Sequence, residues 1–442
     1  MKKLTRKWQM FIYGCAGMGV NMLNLLMGSY LVSALYIGNN GFSEATIPFQ
    51  TYAQKDLIIV GIWSALFFVA KIIDGVIDIP MASLTDNLKT KWGRRRPALL
   101  MGLVPLVLSF LAFLAIPENK SESMLNTWYY WVVLCVFYVS YTLTMVTYYA
   151  TFTEIVETEE ERNYISNVKS VCDIVYFILG YVGVAAMLKG INVRLVALIC
   201  LPLVLTMLIP MFMIKEDSSV GVELEKEKSV NVIKSLAYTL RNKDFILWMI
   251  VYMLMTFGVQ LFLGGINEYF SVADMNMVFV MAAAFAPVPA TLLIYNALIR
   301  KKGFRFAFQY VLLVFSLGMA MIFGVSFLEK GILRTMLSVL SGIICSLGIG
   351  ALFSVAYSIP SQLAADDEKR TGISHSAMYF AVQGLFSGVA TGLGSGVILN
   401  LLKGTDGVRL IPVLAAAGCV AAFFLTYILP KSIVDLGKKT DK

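Results

Sequence analysis

Residues 59–80 read Ile-Val-Gly-Ile-Trp-Ser-Ala-Leu-Phe-Phe-Val-Ala-Lys-Ile-Ile-Asp-Gly-Val-Ile-Asp-Ile-Pro. The run is apolar enough to cross a membrane, yet it holds Asp74 and Asp78, and Lys71 three residues before the first of them. Residues three and four apart share a helix face, so all three charges point the same way. Each such charge costs roughly 3 kcal/mol or more at the bilayer centre, and this arrangement persists mainly where it faces a polar cavity or an ion path. Membrane transport is the function such a face predicts.

The whole chain has the same character. Its 442 residues are 58% apolar and 14% charged, with a mean hydropathy of +0.75, against about 25% charged in soluble domains. Spanning hydrocarbon takes about 20 residues as a helix, because backbone groups must pair within the segment. Twelve segments qualify: 9–37, 57–83, 98–116, 127–152, 168–188, 193–214, 245–267, 275–299, 305–327, 333–356, 374–399 and 408–429. The predicted fold class is an all-α membrane protein with twelve transmembrane helices.

An even number of spans puts both termini on one side. With this assignment 27 Lys and Arg fall on the terminal side, eight fall opposite and Lys71 lies within a span. Positive charge marks the cytoplasmic side, so a multi-pass protein of the cytoplasmic (inner) membrane with both termini cytoplasmic is expected. Met-Lys-Lys-Leu-Thr-Arg-Lys at the start precedes a long apolar run and reads as the lead-in to a first span, not a removable signal. The net charge of +8 is spread over short cytoplasmic segments, which excludes a nucleic-acid partner. Cys15, Cys135, Cys172, Cys200, Cys345 and Cys419 lie in apolar spans without paired spacing and read as small core residues. His375 is alone, with no metal cluster around it.

The chain divides in two. Lys215 to Asp244 is the one long polar stretch, and its Val232, Ile233, Leu236 and Leu240 suit a short amphipathic helix on the cytoplasmic face. The predicted domains are therefore 1–214, a linker over 215–244, and 245–442. Lys-Trp-Gly-Arg-Arg-Arg at 91–96 resembles Lys-Lys-Gly-Phe-Arg at 301–305, an offset of about 210, and Arg162 and Arg370 end similar acidic clusters 208 apart. Two matches at nearly one offset point to duplicated six-helix bundles, an architecture that works by rocking one half against the other.

Asp74 and Asp78 cannot both stay ionised cheaply without a proton or Na⁺ between them. Pro80 lacks an N–H and leaves the Val76 carbonyl without its helical partner, a further oxygen for a hard cation. Lys71 would neutralise one charge; the competing reading pairs Lys71 with Asp74 and gives Asp78 to another helix. Asp173 is within a turn of Lys169, where an interfacial ion pair is at least as good an account as a transport role. Gly384, Gly388, Gly392 and Gly396 form a stripe that lets a neighbouring helix approach. Asn21, Tyr148, Tyr149 and Gln383 are polar or amphipathic residues within spans, candidates for a solute site or for packing.

The segment 71–97, Lys-Ile-Ile-Asp-Gly-Val-Ile-Asp-Ile-Pro-Met-Ala-Ser-Leu-Thr-Asp-Asn-Leu-Lys-Thr-Lys-Trp-Gly-Arg-Arg-Arg-Pro, closely resembles a hallmark of the glycoside-pentoside-hexuronide:cation symporters of the major facilitator superfamily. Tyr13-Gly14, Tyr141-Thr142, Asn242-Lys243-Asp244-Phe245 and the Asp366 to Arg370 segment extend the likeness over nearly the whole chain. The resemblance implies the major facilitator fold of two six-helix bundles. It also implies a coupling-ion site of Asp74, Asp78 and Thr142, with Lys71 beside it, and a cytoplasmic charged latch of Asp86, Arg94, Arg95, Arg162, Asp366 and Arg370.

Departures from that family are informative. Where it places sugar-binding aspartates in spans one and four, this chain has Asn21 and Met145, its span-eleven lysine is Gln383, and its stacking tryptophan is Tyr149. Methionine cannot accept strongly from a sugar hydroxyl. The family's asparagine before the second aspartate is Ile77, which weakens Na⁺ use relative to H⁺.

The expectation is an alternating-access symporter, coupled to H⁺ or Na⁺, for a small polar solute such as a glycoside or sugar derivative. The solute would bind near Asn21, Tyr148, Tyr149, Lys71 and Gln383. No cofactor, no catalytic residue and no metal beyond Na⁺ at the aspartates is expected; the partners are the solute and the lipid bilayer, and the protein is a monomer. Two alternatives stand beside it: a cation-coupled carrier of an amphipathic or lipid-like solute, to which the 23 methionines lend support, and a membrane sensor that binds without transporting. No nucleophile-base constellation supports an enzyme.

Overall fold

In hydrocarbon each backbone N–H and C=O must find its partner within its own segment, so every predicted span has reason to be a helix. The computed structural model describes residues 6–37, 47–155, 159–216, 239–371, 376–403 and 406–434, and all twelve predicted segments are helical within them. Nine are long and apolar enough to cross a membrane, and the pair Met277–Phe285 and Val288–Lys302, bent by 40°, makes a tenth.

The remaining two are those whose segments hold carboxylates. Span 2 is broken into Val60–Val76 and Asp78–Asn87, with Ile77 between. Pro80 is the third residue of the second piece, a first-turn position where an N–H has no intrahelical partner anyway. Asp78 opens that piece, where the positive end of the helix dipole favours a carboxylate. In span 5 the helix Glu159–Ile178 continues through Leu179–Val184, but its apolar part is only Val171–Met187.

The two acidic clusters, which fall between predicted spans, are helical. Glu159 begins the helix of span 5, and Asp366 to Arg370 lie in the last turns of a helix that runs from Ile332 to Thr371. At 1.5 Å per residue these 40 residues extend about 60 Å, roughly twice the hydrocarbon thickness. Ala, Glu, Lys and Arg are good helix formers, and the helix continues through Pro360 past the predicted span.

Contacts divide the described residues into two units, one up to residue 216 and one from residue 239. The proposed amphipathic linker helix falls mostly on 217–238, outside the described residues. In the first unit, span 1 (Lys7–Leu35) packs against spans 5 and 6. A β-carbon on Gly19 would collide with the Leu203 carbonyl of span 6, so only glycine permits that approach. Near the far end of span 1, π-helical turns at Met27–Leu31 and Leu179–Val184 meet: the Tyr30 hydroxyl donates to the Gly180 carbonyl at 2.9 Å, and Ser29 and Tyr181 hydroxyls lie 3.1 Å apart. In the second unit Trp248 is fully buried against Phe304 and Phe308.

The repeat has a conformational counterpart. Gly93 has φ 85° and Gly303 has φ 86°, and each precedes a long helix in its own unit. The left-handed region is open to glycine without penalty, so the same turn is encoded twice, 210 residues apart. The close approach of span 11 to span 7 falls at Gly394, whose β-carbon would lie 3.1 Å from the Phe257 carbonyl. The π-helical stretch Gly392–Ile398 shifts the facing register there, which the regular four-residue stripe did not anticipate.

Candidate functional site

Two polar groups lie inside the first unit. In the first, Lys71 Nζ is 3.2 Å from Asp74 Oδ2 and 3.8 Å from the centre of the Tyr138 ring. One helical turn further along span 4 (Met124–Glu154), the Thr142 side chain hydrogen-bonds Asp78. Tyr138 and Thr142 are four apart and face span 2 together, so the charged face of span 2 meets one face of span 4. The Asp74 side chain remains 25% exposed. Among the described contacts Asp74 has a cation partner and Asp78 has only the hydroxyl.

The second group joins spans 1, 4 and 5. Asn21, 6% exposed, donates from Nδ2 to Asp173 Oδ1 at 3.3 Å and accepts from the Tyr141 hydroxyl at 3.0 Å. Asp173 also pairs with Lys169 at 2.5 Å, and that ammonium lies 5.1 Å from the centre of the Tyr149 ring. The i, i+4 pair was open to either reading in the sequence; its hydrogen bond to Asn21, 152 residues away, carried no signal there. Tyr141 serves this group and Thr142 the other, so consecutive residues of span 4 address both.

Tyr148 departs from the solute-site expectation. It is fully buried, its hydroxyl donates to the Tyr13 and Gly14 carbonyls at 2.6 and 3.1 Å, and its ring stacks on Tyr13. Gly17 leaves room for the ring, since a β-carbon there would lie 2.9 Å from Tyr148 Cε1, and Tyr148 acts as a strut between spans 1 and 4. Lys71 likewise belongs with Asp74 and not with the Asn21 group. Gln383 is 7% exposed in the second unit, one turn after Tyr379, whose hydroxyl accepts from Asn242 at 2.7 Å.

Of the predicted latch, Arg95 is 4% exposed; its Nη1 donates to Thr85 at 3.3 Å and its backbone N–H to Glu216 at 2.8 Å. Arg94 is half-buried at the start of that helix. The side chains of Asp86, Arg162, Asp366 and Arg370 lie outside the described ones, as does His375. No cluster of three or more His, Cys, Asp or Glu residues is placed to hold a metal among the described residues.

A further ion pair escaped the sequence reading. Lys403 Nζ is 2.7 Å from Glu268 Oε1 in the second unit, with side-chain exposures of 3% and 0%. Both residues lie at the ends of apolar runs, where charge is commonplace, and their separation of 135 residues hides the pairing.

A family model described as MFS/sugar transport protein matches residues 12–431. An uncharacterized symporter from Synechocystis sp. is 29% identical over 102 residues, which is 22% of this chain and 19% of that relative, so the match spans about a fifth of the relative's length. Among solved structures, the xylose transporter XylE from E. coli has a TM-score of 0.61 at 12% identity over 97% of this chain and all of its own. The nucleoside transporter NupG gives 0.60 at 12% identity over 96% and 98%, and a bacterial homolog of the human lysosomal transporter Spinster 0.60 at 10% over 99% and 98%. At such identities the likeness is one of fold. The matching family and these similar proteins are transporters, not enzymes.

Proposed function

This chain belongs to the MFS/sugar transport protein family, and from that premise we propose that it is a cation-coupled symporter of a small polar solute, a glycoside or other sugar derivative, working by alternating access. The observation that carries the coupling is the charge count on span 2. Lys71, Asp74 and Asp78 sum to −1, Lys71 is committed to Asp74, and Asp78 is left with the neutral Thr142 hydroxyl. One monovalent cation at Asp78 brings the face to neutrality. A neutral face can change its surroundings within the membrane at a cost that a bare carboxylate would not allow.

The ion we assign is H⁺ in preference to Na⁺. Ile77 supplies no side-chain oxygen, and Lys71 already occupies one oxygen of Asp74, so few oxygens remain for a metal ion that prefers a full shell of them, while a proton needs one. The solute would be held in the first unit by Asn21, Asp173 and Tyr149. Lys169 is neutralised by Asp173 and Lys71 by Asp74, which favours an uncharged, hydroxyl-bearing solute over an acidic one. Gln383, and the latch of Asp86, Arg94, Arg95, Arg162, Asp366 and Arg370, keep the roles the resemblance gives them. The excess of Lys and Arg on one side supports a cytoplasmic-membrane protein with both termini cytoplasmic, and we take it to act as a monomer.

Uptake of a panel of radiolabelled sugars into proteoliposomes, under separately imposed proton and Na⁺ gradients, tests this reading. Concentrative uptake should follow the proton gradient, and Asp78→Asn should abolish it while the protein stays folded. Accumulation against a gradient by Asp78→Asn would remove the assigned role.

A further inference from the structure

Cys15 of span 1 and Cys172 of span 5 are 157 residues apart in sequence, and their sulfurs are 3.2 Å apart. Both are free thiols, Cys15 half-buried and Cys172 at 9% exposure. Around them spans 1 and 5 are joined by Asn21 to Asp173, Ser29 to Tyr181 and Tyr30 to the Gly180 carbonyl. The last two tie the far end of span 1, and the thiols sit nearer its beginning, with the Asn21 contact between.

We propose that Cys15 and Cys172 form a reversible disulfide modification site that fixes span 1 to span 5. A disulfide needs its sulfurs at about 2.05 Å, so the gap to close is on the order of 1 Å, within reach of side-chain rotation. Isolated thiols do not report on such chemistry, but a pair in contact has a resolving partner in place. The oxidant is a peroxide, small and uncharged enough to enter the membrane. Cys15 Sγ attacks one peroxide oxygen, the O–O bond breaks, and the leaving hydroxide takes the thiol proton to become water, leaving a sulfenic acid. Cys172 Sγ then displaces the sulfenic oxygen; the S–O bond breaks, the S–S bond forms and the second thiol proton leaves with that oxygen as water. Two thiols lose two electrons and hydrogen peroxide gains them. In the closed form both ends of the span 1 to span 5 contact are fixed, and Asn21 is held against Asp173.

The site stands apart from the transport reading and is tested without a solute. The purified full-length protein is treated with hydrogen peroxide, denatured, and its remaining thiols are tagged with a maleimide polymer. The parent should fall from six reactive thiols to four, recover six with dithiothreitol, and yield a Cys15–Cys172 cross-linked peptide by mass spectrometry. Cys15→Ser and Cys172→Ser should each keep all five of theirs. The oxidised parent should unfold at a temperature several degrees higher, reversibly. Six thiols persisting in the folded parent under peroxide, a different cross-link, or an unfolding temperature unmoved by the formed disulfide would each overturn the proposal; the parent's peptide map decides even where a serine variant fails to fold.

Discussion

Lys71 and Lys403 are both cations bound to a carboxylate inside the protein, yet their surroundings ask different things of them. Lys71 shares its site with a second aspartate and keeps 13% exposure, whereas Lys403 and Glu268 are sealed at 3% and 0%. Removing one partner of a sealed pair leaves a buried charge and costs about 3–5 kcal/mol, while replacing both is often near neutral. Lys403→Met should therefore lower the unfolding temperature sharply, and Lys403→Met combined with Glu268→Gln should recover most of the loss. Thermal unfolding of the purified variants checks this, and a double variant as unstable as the single one would mean that packing, not charge, holds the site. At this scale the sequence was partly legible. Asp74, Asp78 and Lys71 stood out because charge in an apolar run is costly, and helical spacing put them on one face. Thr142 came only through the resemblance, and the Asn21 partner of Asp173 and the Lys403 partner of Glu268 did not come at all, since helical periodicity says which face a residue takes and nothing about which helix meets it.

Helix ends and helix approaches show the same division between what is local and what is not. The twelve spans were readable because hydrocarbon forces local pairing of the backbone; the break at Ile77 was half-readable, through Pro80, and places Asp78 at the start of a new helix. The π-helical turns at Met27–Leu31, Leu179–Val184 and Gly392–Ile398 were not, because one extra residue in a turn has no compositional mark. Glycines illustrate the limit well. Gly19 and Gly28 look alike in the sequence of span 1, but a β-carbon at Gly19 would strike the Leu203 backbone, and at Gly28 it would meet nothing within 4 Å. Gly19→Ala should destabilise by about 1–3 kcal/mol through overpacking against a carbonyl that cannot yield. Gly28→Ala should be neutral, or stabilising by up to about 1 kcal/mol as a helix-favouring change. Chemical denaturation of the two variants in detergent separates them, and equal effects would show that the span 1 to span 6 approach is looser than drawn.

Across the whole molecule, the spans that least resemble membrane helices are those with the chemistry. Spans 2 and 5 fall short of the other ten: span 2 is cut at Ile77 into a 17-residue apolar piece and a polar one that opens on Asp78, and the apolar part of span 5 is only Val171–Met187, with Lys169 and Asp173 at its start. A hydropathy reading alone would count ten spans; accepting charged spans as functional gives twelve, and only an even count of twelve with this order puts 27 basic residues on one side and eight on the other. Orientation is thus the collective consequence of assignments made one span at a time, and it can be checked at two exposed positions. Lys120 lies between spans 3 and 4, and Lys301 ends the helix of span 8 before the Gly303 turn. In a background with the six native cysteines replaced, Lys120→Cys should react with a membrane-impermeant maleimide in intact cells. Lys301→Cys should react only after the membrane is opened. The two positions fall on opposite sides only if spans 4 to 8 cross the membrane an odd number of times. Labelling of both from outside would mean that one of the charged or bent spans, 5 or 8, turns back without crossing.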